Sequence, residues 1–318
     1  MKRGFRFILA ADVGGTNIRT ALIDPQGMVL TVIKRPTLAQ KGKDSMIERL
    51  VRMLEDTAKK YGTRLEKVEG IGVGFPGPLD AKKGVVFSPP NLVGWFHVPL
   101  KGILEKKLGR PVVIENDANA AALGEYWKGA GRGAKSLVCL TLGTGVGGGI
   151  VLDGRVWHGA KGIAGEIGHM TVIRGGRRCN CGNRGCLEAY ASSRGIIARM
   201  QELLMREKTR RDEKITMERI GALAKAGDRQ ARRTVEDTGV ILGIAIANIA
   251  NILNPEVVVL GGGVSNLGDR LFDPIKEEVK KRALPEAVEG LRIVKAQLGD
   301  NAGVIGAARS LMLCLDKG

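Results

Sequence analysis

SLVCLTLGTGVGGGIVLDGRVW, residues 136–157, reads as a buried strand (Ser136 to Leu142), a glycine turn (Gly143 to Gly149), a second strand (Ile150 to Leu152), a turn at Asp153-Gly154 and a third strand to Trp157. The opening of the chain has the same plan. Phe5 to Ala11 is a short apolar run that ends in Asp12-Val13-Gly14-Gly15-Thr16-Asn17, Ile18 to Ile23 is again strand-like, and Asp24-Pro25-Gln26-Gly27 turns into Met28 to Ile33. Laid over one another, Gly143 falls on Gly14 and Asp153-Gly154 falls on the Asp24 to Gly27 turn. Two halves that open alike indicate an old duplication and two similar domains facing one another across a cleft. Asp44 to Tyr61 then has helical spacing and Val68 to Phe75 returns to strand, so an open mixed α/β sheet is expected.

Gly143, Gly145 and Gly148 satisfy the G-x-G-x-x-G dinucleotide fingerprint, but that fingerprint needs a helix directly after it, and here a strand and a turn follow. A nicotinamide oxidoreductase is therefore set aside on context. The physical part survives: glycine turns expose backbone N–H groups that cradle phosphates. No G-x-x-x-x-G-K-[ST] occurs, which excludes a P-loop. Gly261-Gly262-Gly263, delivered by the strand Glu256 to Leu260, is a third such turn, suited to an adenine or ribose or else a plain tight turn.

Between the halves, the β-branched run from Val112 ends in Glu115-Asn116-Asp117 and an alanine-rich helix follows. An aspartate at such a junction is either a helix cap, its commoner fate, or a catalytic base. Asn116 and Asn119 add hydrogen-bonding groups beyond what a cap requires.

GEIGHMTVIRGGRRCNCGNRGCLE, residues 165–188, holds His169, Cys179, Cys181 and Cys186, a complete tetrahedral Cys3His zinc set. The hook is tight, and Gly182 and Gly185 relax the backbone around it. Four protein ligands leave no open position, so such a zinc is structural. The alternatives are free thiols, or disulfides in a chain that nothing marks as secreted. Glu166 and Glu188 bracket the hook; paired carboxylates accept well from the hydroxyls of a sugar or other polyol, although each alone reads as a surface charge.

At 318 residues the chain has room for two domains, and 44% hydrophobic with 26% charged residues is a soluble globular composition. A net charge of +17 invites a nucleic-acid reading, but the basic residues are mixed with acids along amphipathic stretches and aromatics are only 4%. Small polyanions such as nucleotides fit that field better. No secretory signal follows Met1-Lys2-Arg3, and Gly239 to Val264 reads as buried helix, turn and strand, with no membrane span expected. A cytoplasmic protein is expected, as a homo-oligomer, dimer or tetramer.

These motifs, together with Gly165-Glu166-Ile167-Gly168-His169 and Cys179-Asn180-Cys181-Gly182-x-x-Gly185-Cys186-Leu187-Glu188, occur in the order seen in the ROK family of bacterial sugar kinases and repressors, which the chain resembles over nearly its whole length. Within it the chain is most similar to the glucokinases, through Pro90-Asn91-Leu92 with Trp95 and through Leu187 to Ser192. The resemblance implies an actin- and hexokinase-like (ribonuclease H-like) duplicated fold with a central cleft. Its domains would be 1–117 plus 302–318, the C-terminal helix returning to the first, and 118–301. It implies ATP and Mg2+ as well as the structural Zn2+, with transfer of the γ-phosphoryl to the 6-hydroxyl of an aldohexose, glucose foremost. Asp117 matches the general base. Asn116, Glu166, His169 and Glu188 match the residues that hold the other hydroxyls, with Gly77 and Asn91 on the same substrate side. Gly14, Gly15, Thr16 and Asn17, and Gly143, Thr144, Gly145 and Gly147, match the phosphate turns. Asp12 matches the carboxylate near magnesium, and Gly261, Gly262 and Gly263 complete the nucleotide side. A kinase for mannose, fructose, N-acetylglucosamine or N-acetylmannosamine, or one using polyphosphate, is the alternative. The repressor branch, with its N-terminal DNA-binding helices, is not expected in a chain that opens on its first strand.

Overall fold

The computed structural model of the protein describes residues 7–89, 92, 94–208 and 214–316. Asn91, counted among the sugar-binding candidates, lies outside them, as do the first residues of the first expected strand.

The first half is a five-stranded sheet in which β1 (Phe7–Val13), β2 (Asn17–Ile23) and β3 (Val29–Pro36) form an antiparallel meander. Helix α1 (Lys43–Lys60) leads to β4 (Val68–Phe75), which runs parallel to β1. A short antiparallel pair, β5 (Leu79–Asp80) and β6 (Val85–Val86), and helix α2 (Leu100–Leu108) precede β7 (Val112–Asn116), parallel to β4, and helix α3 (Asp117–Lys128). The strand order is β3-β2-β1-β4-β7.

The second half repeats it. The hairpin strands β8 (Ser136–Leu142), β9 (Val146–Leu152) and β10 (Arg155–Val156) are followed by α4 (Glu188–Ala191), α5 (Ser193–Arg206), α6 (Met217–Lys225) and α7 (Arg229–Leu253). Then come β11 (Val257–Gly261), α8 (Asp269–Arg282), α9 (Pro285–Val288), β12 (Arg292–Lys295) and the last helix α10 (Ala302–Leu315). The order β10-β9-β8-β11-β12, with β11 parallel to both β8 and β12, is the first sheet's plan over again. The duplication read from residues 136–157 is thus present in the strand order itself.

By packing, the chain forms two units. One takes the chain up to Lys135, Gly149–Gly165 and everything from Gln297; the other is Ser136–Gly148 with Glu166–Ala296. Helix α3, expected in the second domain, packs with the first unit, because Gly124 lies against the Ala302 carbonyl and Gly306 against the Ala120 carbonyl, closer than any Cβ would permit. Alternation along β1 explains the layers of this unit: Leu9, Ala11 and Val13 join the core under α1 and α2, while Ile8 and Ala10 join the one under α10. In the second unit β11 is buried throughout, the mark of a central parallel strand. Helix α7 is long and apolar enough to cross a membrane by length and composition, yet it packs on α5, α6 and α8. Asp228 caps it, and Asn254, in the left-handed conformation, ends it before Pro255.

Candidate active site

In the first unit, parallel pairing sets Asp12 of β1 beside Gly74 of β4, and Phe75 of β4 beside Asn116 of β7. Asp12, Gly14 to Asn17, Asn116 and Asp117 therefore all emerge at the carboxyl ends of the parallel strands, where ligands bind in open α/β sheets. Gly14 to Asn17 is a tight connection: the Gly14 N–H donates to the Asn17 carbonyl at 2.9 Å, and the Thr37 hydroxyl and N–H brace Gly14 and Thr16, leaving Gly15 and Thr16 exposed at the tip. Asp12 packs against Gly303 in the first turn of α10, where a Cβ would run into its carboxylate. Burial pushes the Asp12 carboxyl up to about 6, opposed by Arg19 and reinforced by Asp300.

The cap of α3 is Asn116, not Asp117. The Asn116 side-chain oxygen accepts from the Ala118 and Asn119 N–H groups at 2.9 and 3.1 Å, and its amide donates to the Gly77 carbonyl at 3.3 Å. The commoner fate of an aspartate at such a junction thus falls to its neighbour, and Asp117 is the first helical residue, its Oδ1 accepting from the Ala118 N–H at 2.9 Å. A helix N-terminus favours a carboxylate there.

In the second unit, strand β9 begins at Val146, so the second glycine turn is Gly143 to Gly145, and Gly147 belongs to the strand. Gly149, already in the first unit, is a glycine because Ala118 and Ala122 of α3 press on it. A strand after the turn confirms why the dinucleotide fingerprint does not apply. Glu188 Oε2 accepts the Val146 N–H at 3.0 Å, and Glu166 Oε2 stands 3.8 Å from His169 Nε2. These three expected sugar-binding side chains belong to one short region with the hook.

The ligand atoms of His169, Cys179, Cys181 and Cys186 all lie within 4.8 Å of one another. Cys181 Sγ is 3.7 Å from Cys186 Sγ, and Cys179 Sγ is 3.8 Å from His169 Nδ1. A tetrahedron with zinc–sulfur bonds of about 2.3 Å has sulfur–sulfur edges of about 3.8 Å, and a disulfide sulfur pair stands at about 2.05 Å. The set fits zinc and not a disulfide. Gly182 and Gly185 are both at positive φ, and Gly185 approaches the Ile173 carbonyl too closely for a side chain. Burial pushes the Cys186 thiol up to about 12, with Cys181 and Cys179 adding to it, and burial also raises Cys179, while the Asn183 backbone holds Cys181 below the usual thiol range.

Register pairs Gly261 with Thr141, so β8 and β11 release Gly143 and Gly262-Gly263 at one edge. Beside them is a cavity of about 670 Å³. Of the expected nucleotide residues, Gly143, Thr144 and Gly263 line it; Gly262, at positive φ, lies instead against the Leu142 backbone. Its other walls include Ser193 and Ile197 of α5, Thr216, Met217, Glu218, Gly221, Ala222 and Lys225 around α6, and Asn266 and Leu267. Sequence reasoning missed these. The mix of acids, bases and apolar residues along α6 is that of an amphipathic surface helix, and Gly221-Ala222, two adjacent small residues, is the one local signal of a wall there.

Residues 8–313 match the model of the ROK family. The chain belongs to the ROK family. It is 42% identical over 309 residues to a glucokinase of Halalkalibacterium halodurans, covering 95% of this chain and 93% of that one. A xylose repressor of Caldicellulosiruptor bescii is 34% identical, with 94% of this chain matching 76% of the repressor. Among solved structures, the ROK hexokinase of Thermus thermophilus superposes with a TM-score of 0.83 at 35% identity, covering 98% of this chain and 100% of that one. A ROK glucokinase of Streptomyces griseus, in complex with glucose and AMPPNP, gives 0.79 at 34% identity over 95% and 98%. The two sheets of like order are the actin- and hexokinase-like fold of these ROK proteins.

Proposed function

We propose that this ROK protein is an ATP-dependent hexose kinase that converts glucose to glucose 6-phosphate. What carries the reading is the strand–helix junction at Asn116-Asp117, where the asparagine caps and the aspartate follows, in a chain 42% identical to a glucokinase. Asp117 takes the proton of the 6-hydroxyl as that oxygen bonds to the γ-phosphorus and the bond to the β–γ bridging oxygen breaks, releasing ADP. Asn116, Glu166, His169 and Glu188, with Gly77 and Asn91, hold the remaining hydroxyls. The turns at Gly14 to Asn17 and Gly143 to Gly145 donate backbone N–H groups to the phosphates. Such transfer needs positioning and charge neutralisation more than covalent help. Asp12 would hold the magnesium that comes with ATP, which would supply neutralisation of phosphate charge, and a cation there would favour the carboxylate form that burial disfavours.

His169, Cys179, Cys181 and Cys186 hold the structural zinc, which supplies rigidity to the Glu166 to Glu188 segment and no chemistry of its own. A use for ATP and a thiol set suited to zinc support a cytoplasmic enzyme. Exposed apolar Ile252 and Leu284 support a homo-oligomer, dimer or tetramer, which light scattering measures.

A nucleoside donor fits better than polyphosphate. The 670 Å³ cavity is walled mainly by carbon, from Leu142, Ile197, Met217, Ala222, Val264 and Leu267, and Lys225 is the one cation among its described lining residues. A polyphosphate chain calls for a row of cations.

The test is a hexose panel assayed for ADP release, with Asp117→Asn alongside. Glucose is expected to be turned over, and the variant to bind glucose yet lose about 10²- to 10⁴-fold in kcat. Near-wild-type turnover in Asp117→Asn would defeat the assignment.

A further inference from the structure

Glu115, one residue before the capping asparagine, is only 4% exposed, and both its oxygens are engaged. Its Oε1 accepts the Asn116 N–H at 2.9 Å and the Asn119 side-chain amide at 3.3 Å. His158 Nε2 stands 3.1 Å from Oε1 and 2.9 Å from Oε2. Three donors on one carboxylate suit its ionised form, which accepts only. Burying that charge without a partner costs several kcal/mol, so the partner decides whether the arrangement holds.

The partner is His158. The hydrogen bond to Glu115, and then that carboxylate's charge, raise its pKa against burial and the repulsion of Lys82. Lys82, Lys101 and Arg155 are the other charged groups around the pair, lining with it a cavity of about 400 Å³. His158 also closes a loop, its carbonyl accepting the Ala164 N–H at 3.1 Å just before Gly165-Glu166.

The consequence runs into the junction. Asn116 is held through its N–H by Glu115, through its side-chain oxygen by two helix N–H groups and through its amide by Gly77. Asp117 is the next residue, and it opens the helix that Asn116 caps, so a shift of the turn carries it along.

We propose that His158 is a positioning residue of the reaction: clamped on Glu115, it fixes the Asn116-Asp117 turn and thereby the carboxylate that takes the proton. The inference rests on Asp117 as the base. Misplacing a reacting group by about 1 Å costs on the order of 10²-fold.

His158→Ala and His158→Gln are compared with the wild type for kcat, for both KM values and for amide hydrogen exchange at residues 116–119. His158→Ala is expected to lose about 10- to 100-fold in kcat, to keep its KM for ATP, and to exchange faster at Ala118 and Asn119. His158→Gln, whose side-chain N–H still reaches Glu115, recovers most of both. Wild-type kcat in His158→Ala, or a glutamine variant as slow as the alanine one, overturns the proposal. A wild type that phosphorylates no hexose removes Asp117 as base, whereas the exchange difference between the two variants still decides whether His158 holds the turn.

Discussion

Glu188 Oε2 accepts the Val146 backbone N–H at 3.0 Å, and the space a side chain at Gly145 would need is already filled by the same carboxylate. One acid of the proposed sugar set thus also stiffens the glycine turn assigned to phosphate. The two roles separate by substitution. Glu188→Gln keeps an acceptor for Val146 but loses the charge that binds hydroxyls, so steady-state kinetics should show the KM for glucose raised about 10-fold with the KM for ATP unchanged. Glu188→Ala leaves the Val146 N–H unpaired and should raise both. Equal effects of the two variants on ATP would argue against the shared role.

Asp12 carries a pH signature of its own. Its carboxyl moves from 3.8 to about 6 in the folded protein, chiefly through burial. The folded state therefore binds the proton more tightly, and the contribution to stability is complete below pH 3.8 and lost as pH rises to about 6. Above that, the ionised side chain costs up to about 3 kcal/mol, less to the extent that water reaches this half-buried residue. Without magnesium, Asp12→Asn should melt higher than the wild type at pH 7.5 and converge with it toward pH 4, while losing activity. A variant that melts lower at pH 7.5 contradicts this. Gly303→Ala, which drives a methyl into the same carboxylate, should cost about 1–3 kcal/mol.

The zinc site gives a prediction independent of turnover. Freshly purified protein should carry about one zinc per chain by elemental analysis, as four protein ligands imply. Cys181→Ser, at the exposed cysteine of the hook, should lose it and loosen residues 166–188, raising the KM for glucose with little change for ATP. Protein that holds no zinc when isolated without chelators would sink the assignment.

Much of this architecture was legible because strand and turn signals are local. Val68–Phe75 and Ser136–Leu142 are strands at the expected residues, and the hook's spacing fixed four ligands that do converge. The rest depended on packing that no local pattern encodes. Asn116 and Asp117 compete for the same cap, and only backbone geometry decides between them. Gly147–Gly149 looked like loop because glycine breaks strands, yet at Gly149 it yields to α3 pressing on the strand. His158 meets Glu115 across 43 residues, and α6 turns from a charged surface helix into a cavity wall only once α5 and the Gly263 turn close around it.

That cavity wall separates donor from acceptor. Ala222 lines it from α6, as does Met217, and Leu267 lines it from outside that helix. Ala222→Trp places an indole in the space assigned to the adenine without altering a residue of a strand or a glycine turn. The KM for ATP should rise about 10-fold or more, the loss expected when a filled site forfeits its apolar contacts. The KM for glucose and the melting temperature should stay where they are. Polyphosphate offered to the wild type should compete poorly with ATP. If Ala222→Trp leaves ATP kinetics unchanged, the base of the donor lies elsewhere, and the carbon-lined cavity ceases to be an argument for a nucleoside.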